Sequence, residues 1–346
     1  MSQKILVIGP SWVGDMVMSQ SLYISLKQEH PEAELHVIAP AWCCALLERM
    51  PEVDKAIVMP LGHGDFKLTE RFRLGRRLAS EGYDWAIVQP NSLKSALIPL
   101  FAGIKKRTGW KGESRYGLLN DLRSNKRSFP LMVERYNALA YPKTQMIDSQ
   151  SLPNLPWPSL AVDKKNQRLA LSELSLDISR PVLSLCPGAE FGPSKRWPEQ
   201  HYAEVAKHQI KQGKQVWIFG SAKDIPVAET IRHSLPSQLQ AHCHILAGKT
   251  SLHQAIDLMA LSTMVVSNDS GLMHIAAALE RPLVAVYGST SPKYTPPLAE
   301  HVAVVHIDIE CRPCFKRECP LGHLKCLKDL TPQLVINAIN KLQERE

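Results

Sequence analysis

No apolar run in this chain approaches the ~20 residues a membrane-spanning helix needs. Residues 5–8 are too short a run for a signal-peptide core and end at Gly9-Pro10, so a strand is expected there and a cytosolic protein with its eight cysteines reduced. Aromatic residues are only 6% of the chain, too few to suggest a nucleic-acid stacking platform, and no nucleic-acid partner is expected. Internal repeats and low-complexity tracts are absent, which excludes solenoids and long disordered tails. Acidic residues are in deficit: 41 Lys and Arg stand against 33 Asp and Glu, for a net charge of +8.

What remains is an ordinary globular composition of 346 residues, enough for two α/β domains. Short apolar runs at 5–8, 35–39, 56–59 and 85–89 alternate with helix-like stretches, and Met18, Leu22 and Leu26 recur at one-turn spacing. A second series follows at 181–186, 215–220, 264–267 and 283–288. Such alternation predicts parallel, doubly wound sheets. Four prolines within 142–158 mark a linker. We therefore divide the chain into a first domain over 1–158, a second over 159–330 and a C-terminal helix over 331–346.

Two junctions between a strand and a helix stand out, because ligands of such sheets bind at the carboxyl ends of the strands. The first is Gly9-Pro10-Ser11-Trp12-Val13-Gly14-Asp15. Its glycine spacing is that of a triphosphate loop, but Asp15 stands where the phosphate-binding lysine belongs and would repel a triphosphate. The middle glycine of a dinucleotide fingerprint is missing too, and no acid ends the second strand to hold a ribose. Asp15 is either a helix N-cap or a general base for a substrate hydroxyl. The second junction is Asn268-Asp269-Ser270-Gly271-Leu272-Met273-His274. Ser270 and Gly271 would offer free N–H groups to an anion, Asp269 could bind sugar hydroxyls, and His274 lies one turn behind.

Between them, 187–198 carries Gly188, Gly192, Lys195 and Arg196, a set suited to a leaving diphosphate. Asp224 follows another strand and is either a ribose ligand or a cap. Late in the chain, Cys311, Cys314, Cys319 and Cys326 fall within sixteen residues, together with His323. That density suggests a structural zinc, or iron on an all-thiolate set, although the spacing is not that of a zinc finger. Cys43, Cys44, Cys186 and Cys243 read as core. Finally, Lys105, Lys106, Arg107, Lys111, Arg115, Arg123, Lys126 and Arg127 crowd one stretch, either a solvated face or a surface for a polyanion.

Taken in order, 9–15, 187–198 and 268–274 resemble the lipopolysaccharide heptosyltransferases over nearly the whole chain. Arg107-Thr108-Gly109-Trp110 and Tyr116-Gly117-Leu118-Leu119-Asn120 extend the likeness. The resemblance implies a GT-B fold, two Rossmann-like domains facing across a cleft, with the acceptor on the first domain and ADP-L-glycero-D-manno-heptose on the second. The terminal helix would pack back on the first domain. It implies an inverting transfer of heptose to the first heptose of the lipopolysaccharide inner core, with Asp15 as base and Lys195 at the diphosphate. Gly188, Arg196, Asp224, Asp269, Ser270, Gly271 and His274 would contact the donor. Ser11, Trp12, Lys105, Arg107 and Arg115 are the candidates for the acceptor, an anionic lipid A–Kdo–heptose. No cofactor is required for this chemistry. The expected location is cytoplasmic, held peripherally on the inner membrane by the basic stretch in a salt-sensitive way. Transfer to another core position, epimerisation of a nucleotide sugar and non-catalytic polyanion binding remain the competing readings.

Overall fold

The structure is a computed structural model and describes residues 3–62 and 64–344. The chain divides into two compact units, Met1–Ser159 and Leu160–Glu346.

The first unit is built on β1 (Lys4–Ile8), β2 (Glu34–Ala39), β3 (Lys55–Val58), β4 (Trp85–Val88), β5 (Lys106–Trp110) and β6 (Asp121–Arg123). Their order is β3-β2-β1-β4-β5-β6, and every neighbouring pair is parallel. Strands buried on both faces must be apolar at every position. Ile5, Leu6, Val7 and Ile8 are accordingly buried, as are Trp85, Ala86, Ile87 and Val88 beside them. The chain leaves β1 toward β2 on one side and later crosses to β4 on the other. The topological switch point is therefore between β1 and β4, and the loop after β1 opens at it.

The second unit repeats the plan with β7 (Val182–Cys186), β8 (Gln215–Ile218), β9 (Cys243–Ile245), β10 (Met264–Asn268), β11 (Leu283–Val286) and β12 (Val302–Val305). The order is β12-β11-β10-β7-β8-β9, again wholly parallel, so the switch point falls between β7 and β10. Leu183, Leu185, Val216, Ile218, Val266 and Val284 form the centre of its core. The last helix, Pro332–Gln343, contributes Val335, Ile336, Ile339 and Leu342 to that core. Cys43, Cys186 and Cys243 are buried as expected, and Cys44 is half-buried.

Candidate active site

In the first unit the chain turns sharply after β1. The Gly9 N–H donates to Ile38 O at 2.9 Å. A Cβ at Gly9 would stand 2.9 Å from the Met16 methyl and 3.1 Å from Ile38 O, a crowding that glycine avoids. The helix Val13–Glu29 begins at once, with Trp12 as its N-cap residue. Asp15 is therefore not the N-cap that one reading of the sequence made it. It lies in the first helical turn, where the partial positive charge of the helix N-terminus favours a carboxylate. Its Oδ1 accepts a hydrogen bond from Tyr136 Oη at 3.2 Å. Tyr136 comes from the helix Met132–Asn137 and is buried. Ser11 turns its carbonyl to Trp42 Nε1 at 3.0 Å, while Trp12 is 47% exposed.

Of the basic stretch, Lys105, Lys106, Lys111 and Arg127 are exposed, while two of the arginines are turned inward. Arg115 and Arg123 are each only 1% exposed. Arg115 donates to the carbonyls of Pro90 and Trp110, and Arg123 to those of Ala138 and Tyr141. Arg107 donates to Leu118 O and Ile104 O, both at 2.6 Å. These guanidiniums satisfy loop carbonyls that burial would otherwise leave unpaired. Burial lowers the pKa of Arg115 to about 10, so it stays charged at neutral pH. Lys105 is exposed, while Lys106 stands 3.5 Å over the Trp85 ring.

In the second unit the loops after β7 and β10 meet at the switch point. Asn268, the fully buried last residue of β10, ties them together. Its Oδ1 accepts from the Trp197 N–H at 3.1 Å and Tyr202 Oη at 3.0 Å, and its Nδ2 donates to Pro187 O at 2.6 Å. Asp269 is next, 3% exposed, with Oδ2 accepting from Lys195 Nζ at 2.6 Å and Thr290 Oγ1 at 2.5 Å. Ser270 is the N-cap residue of the helix Gly271–Ala278, and the backbone N–H groups of the first turn point away from the helix. His274 is buried on that helix, and desolvation lowers its pKa to about 4, with Lys195 adding to the effect and Asp269 opposing it. The ring is neutral at physiological pH.

Asp224 serves as a cap in this structure: its Oδ2 accepts from Ser221 N–H at 2.9 Å and Ser221 Oγ at 2.8 Å. The carboxylate lies against Gly188, where a Cβ would come within 2.6 Å of it. Arg196 donates to Ala189 O at 3.5 Å, while its Nε is buried without a hydrogen-bond partner among the described residues. A guanidinium with an unmet donor beside a glycine loop is suited to an anion.

The cysteine-bearing segment braces this site. Arg312 donates from Nε to Gly288 O at 2.8 Å and from Nη2 to Thr290 O at 3.2 Å. The Phe315 N–H donates to Ser289 O at 2.8 Å, and Arg317 Nε to Phe191 O at 2.7 Å. Sequence reasoning missed Thr290 and Arg312, because nothing local to either residue indicates what it touches. The metal expected at Cys311, Cys314, Cys319 and Cys326 has no matching site: among the described residues no group of three or more His, Cys, Asp or Glu could hold one. Cys326 packs into the apolar core of the unit, where burial first and the other three thiols second raise its pKa. Cys319 instead accepts hydrogen bonds from backbone N–H groups, that of Leu324 foremost, which lower its thiol.

Each unit thus carries a carboxylate at its own switch point, and that of the second unit is paired with a lysine. Residues 71–325 match glycosyltransferase family 9 (heptosyltransferase). The chain belongs to that family. It is 54% identical over 345 residues to lipopolysaccharide heptosyltransferase 2 of Salmonella typhimurium (strain LT2), covering 99% of each chain. It is 53% identical to lipooligosaccharide heptosyltransferase 2 of Haemophilus influenzae, covering 98% of this chain and 99% of that one. The solved structure of E. coli ADP-heptose lps heptosyltransferase II superposes with a TM-score of 0.91 at 51% identity, covering 99% of this chain and 100% of the other. This family 9 protein is thus a glycosyltransferase, which decides against an epimerase or a passive polyanion binder.

Proposed function

We propose that this glycosyltransferase moves L-glycero-D-manno-heptose from ADP-heptose to the first heptose of the lipopolysaccharide inner core, with inversion at the anomeric carbon. The observation that carries the reading is the pairing of Lys195 with Asp269 beside the N-terminus of the helix Gly271–Ala278. A diphosphate, whose charge grows as it leaves, is served by the lysine and the helix N-terminus, and the carboxylate holds the lysine in place until the donor binds. The relatives, most of them named for the second heptose, supply the choice of substrates.

In this scheme a hydroxyl of the acceptor heptose gives its proton to Asp15 as its oxygen attacks the anomeric carbon. The bond from that carbon to the diphosphate oxygen breaks, and the electron pair leaves with ADP from the opposite face. Lys195, the amides of Ser270 and Gly271, and Arg196 offset the charge developing on ADP. This is the work a divalent ion does in other glycosyltransferases. Asp269 holds heptose hydroxyls, and Asp224 takes the ribose when its cap opens. Neutral His274 keeps the anion site free of a second, titrating cation. Ser11 and Trp12 lie on the acceptor side with exposed Lys105, whereas Arg107 and Arg115 act there by holding loops.

The acceptor, lipid A–Kdo–heptose, is embedded in an anionic membrane, so we place the enzyme peripherally on the cytoplasmic face of the inner membrane. Among the described residues no helix is long and apolar enough to cross one.

The deciding experiment measures ADP release from ADP-heptose with lipid A–Kdo acceptors carrying no heptose or one. We expect turnover only with the one-heptose acceptor, abolished in Asp15→Ala. Turnover on the heptose-free acceptor would reassign the enzyme to the first position. An Asp15→Ala variant with normal turnover would remove the base.

A further inference from the structure

In a parallel sheet every crossover helix starts at the carboxyl ends of the strands. The helices Val13–Glu29, Ala41–Leu47 and Leu68–Ala79 follow β1, β2 and β3, so their first residues share one pole of the first unit with Asp15. That pole is unusually apolar. Trp12 is 47% exposed, Trp42 54%, Phe66 52% and Leu68 48%, with Phe72 at 49% one turn further along. Single exposed apolar residues are common, but three within seven residues of one turn and helix form a patch.

The patch is presented rather than frayed. Arg71 is 3% exposed and spends its guanidinium on the preceding turn. Its Nε donates to Phe66 O at 2.7 Å and its Nη2 to Asp65 O at 2.7 Å, while Nη1 reaches Lys94 O at 3.3 Å. Thus a buried cation fixes the main chain of the turn that carries the exposed Phe66. Charge flanks the apolar residues. Lys67 pairs with Asp65 at 3.1 Å and Arg73 with Glu70 at 2.7 Å, and Arg76 and Arg77 are exposed on the same helix. Of the five basic residues between 65 and 77, Arg71 is buried and Lys67 and Arg73 are paired with the two acids, so Arg76 and Arg77 in the last turn of the helix supply the excess positive charge.

We propose that the turn and helix from Phe66 to Arg77 are the surface by which this protein docks on an anionic lipid bilayer, the two phenylalanines and Leu68 entering the headgroup boundary while the arginines meet lipid phosphates. The proposal rests on the reading that the acceptor is lipid-borne, and relocates the membrane contact from 105–127, where three guanidiniums are turned inward. The start of this surface, Phe66 and Leu68, stands at the same pole as Asp15. Because apolar insertion adds to charge attraction, binding has a component that salt does not remove.

The test is co-sedimentation of the full chain with vesicles of phosphatidylethanolamine and phosphatidylglycerol, without acceptor, at low salt and at about 0.5 M NaCl. Wild type is expected to keep part of its binding at high salt. Phe66→Ser with Phe72→Ser is expected to lose that part and to bind about tenfold less overall. Phe72 touches Phe101, so Phe66→Ser with Leu68→Ser serves as a companion whose core is untouched. Both variants should turn over a deacylated, water-soluble acceptor as wild type does, and fail only on vesicle-embedded acceptor. Wild-type binding by both variants, with loss on Lys105→Glu and Lys106→Glu, would overturn the proposal, and so would a wild type that never sediments. Since sedimentation needs no acceptor, a failure of the substrate reading is seen separately, as absent turnover on every acceptor.

Discussion

The ammonium of Lys195 and the carboxylate of Asp269 lie 2.6 Å apart, though 74 residues separate them in the chain. The contact joins the loop after β7 to the loop after β10, with both side chains largely out of water. Removing one partner leaves the other buried and uncompensated, at a cost of about 3 kcal/mol. Lys195→Met should therefore lower the melting temperature as well as turnover, the latter by about 100-fold or more. Lys195→Met combined with Asp269→Asn should recover most of the stability and none of the turnover. Thermal melting and ADP release on the same three proteins check both halves, and parallel recovery of activity would disprove a role at the diphosphate.

Tyr136 donates to Asp15 from 121 residues away. A hydrogen bond to a carboxylate favours its ionised, proton-accepting form and holds it in one orientation. Tyr136→Phe should lower kcat about tenfold and move the acidic limb of the kcat/KM profile to higher pH. A pH profile with an unmoved acidic limb would mean that the phenol packs but does not tune.

His274 makes stability depend on acid. Its pKa falls from an ordinary 6.5 to about 4 on burial, so below 6.5 the unfolded chain binds a proton that the folded one refuses. Stability is thus lost as pH drops from 6.5 toward 4, by up to roughly 3 kcal/mol from this residue. His274→Gln should show a shallower fall of melting temperature across that window. Equal slopes in the two proteins would remove His274 as the cause.

Arg115 and Lys105 separate the structural from the exposed members of the basic stretch. Arg115→Met leaves the carbonyls of Pro90 and Trp110 without their donor and should cost about 2–4 kcal/mol. Lys105→Ala should change stability by less than about 0.5 kcal/mol. Denaturant titration of both variants distinguishes these outcomes.

Much of the fold was legible because a strand buried on both faces must be apolar throughout. That local signal exposed β1, β2, β4, β7, β8, β10 and β11 and the glycine-rich junctions beside them, and the half-exposed β3 was legible from its short apolar run. β5, β6 and β9 gave no such signal: β5 reads Lys-Arg-Thr-Gly-Trp, and the other two have three residues each. Their pairing energy comes from neighbours far off in the chain, which no local window contains.

For the site, the chain itself marked the strand-to-helix junctions that carry Asp15, Asp269 and Ser270, because an apolar run followed at once by a helix is a local signal. Which of those junctions lie at a switch point was set by the strand order. Only the tertiary structure decided where long side chains point. Arg115 and Arg123 turn inward to carbonyls, Arg71 holds the carbonyl of Phe66, Thr290 reaches Asp269 from the loop after β11, and Arg312 holds that loop. An arginine has the same charge in the sequence wherever it points. Its role is set by which unpaired carbonyl lies within reach, and folding alone brings that carbonyl near.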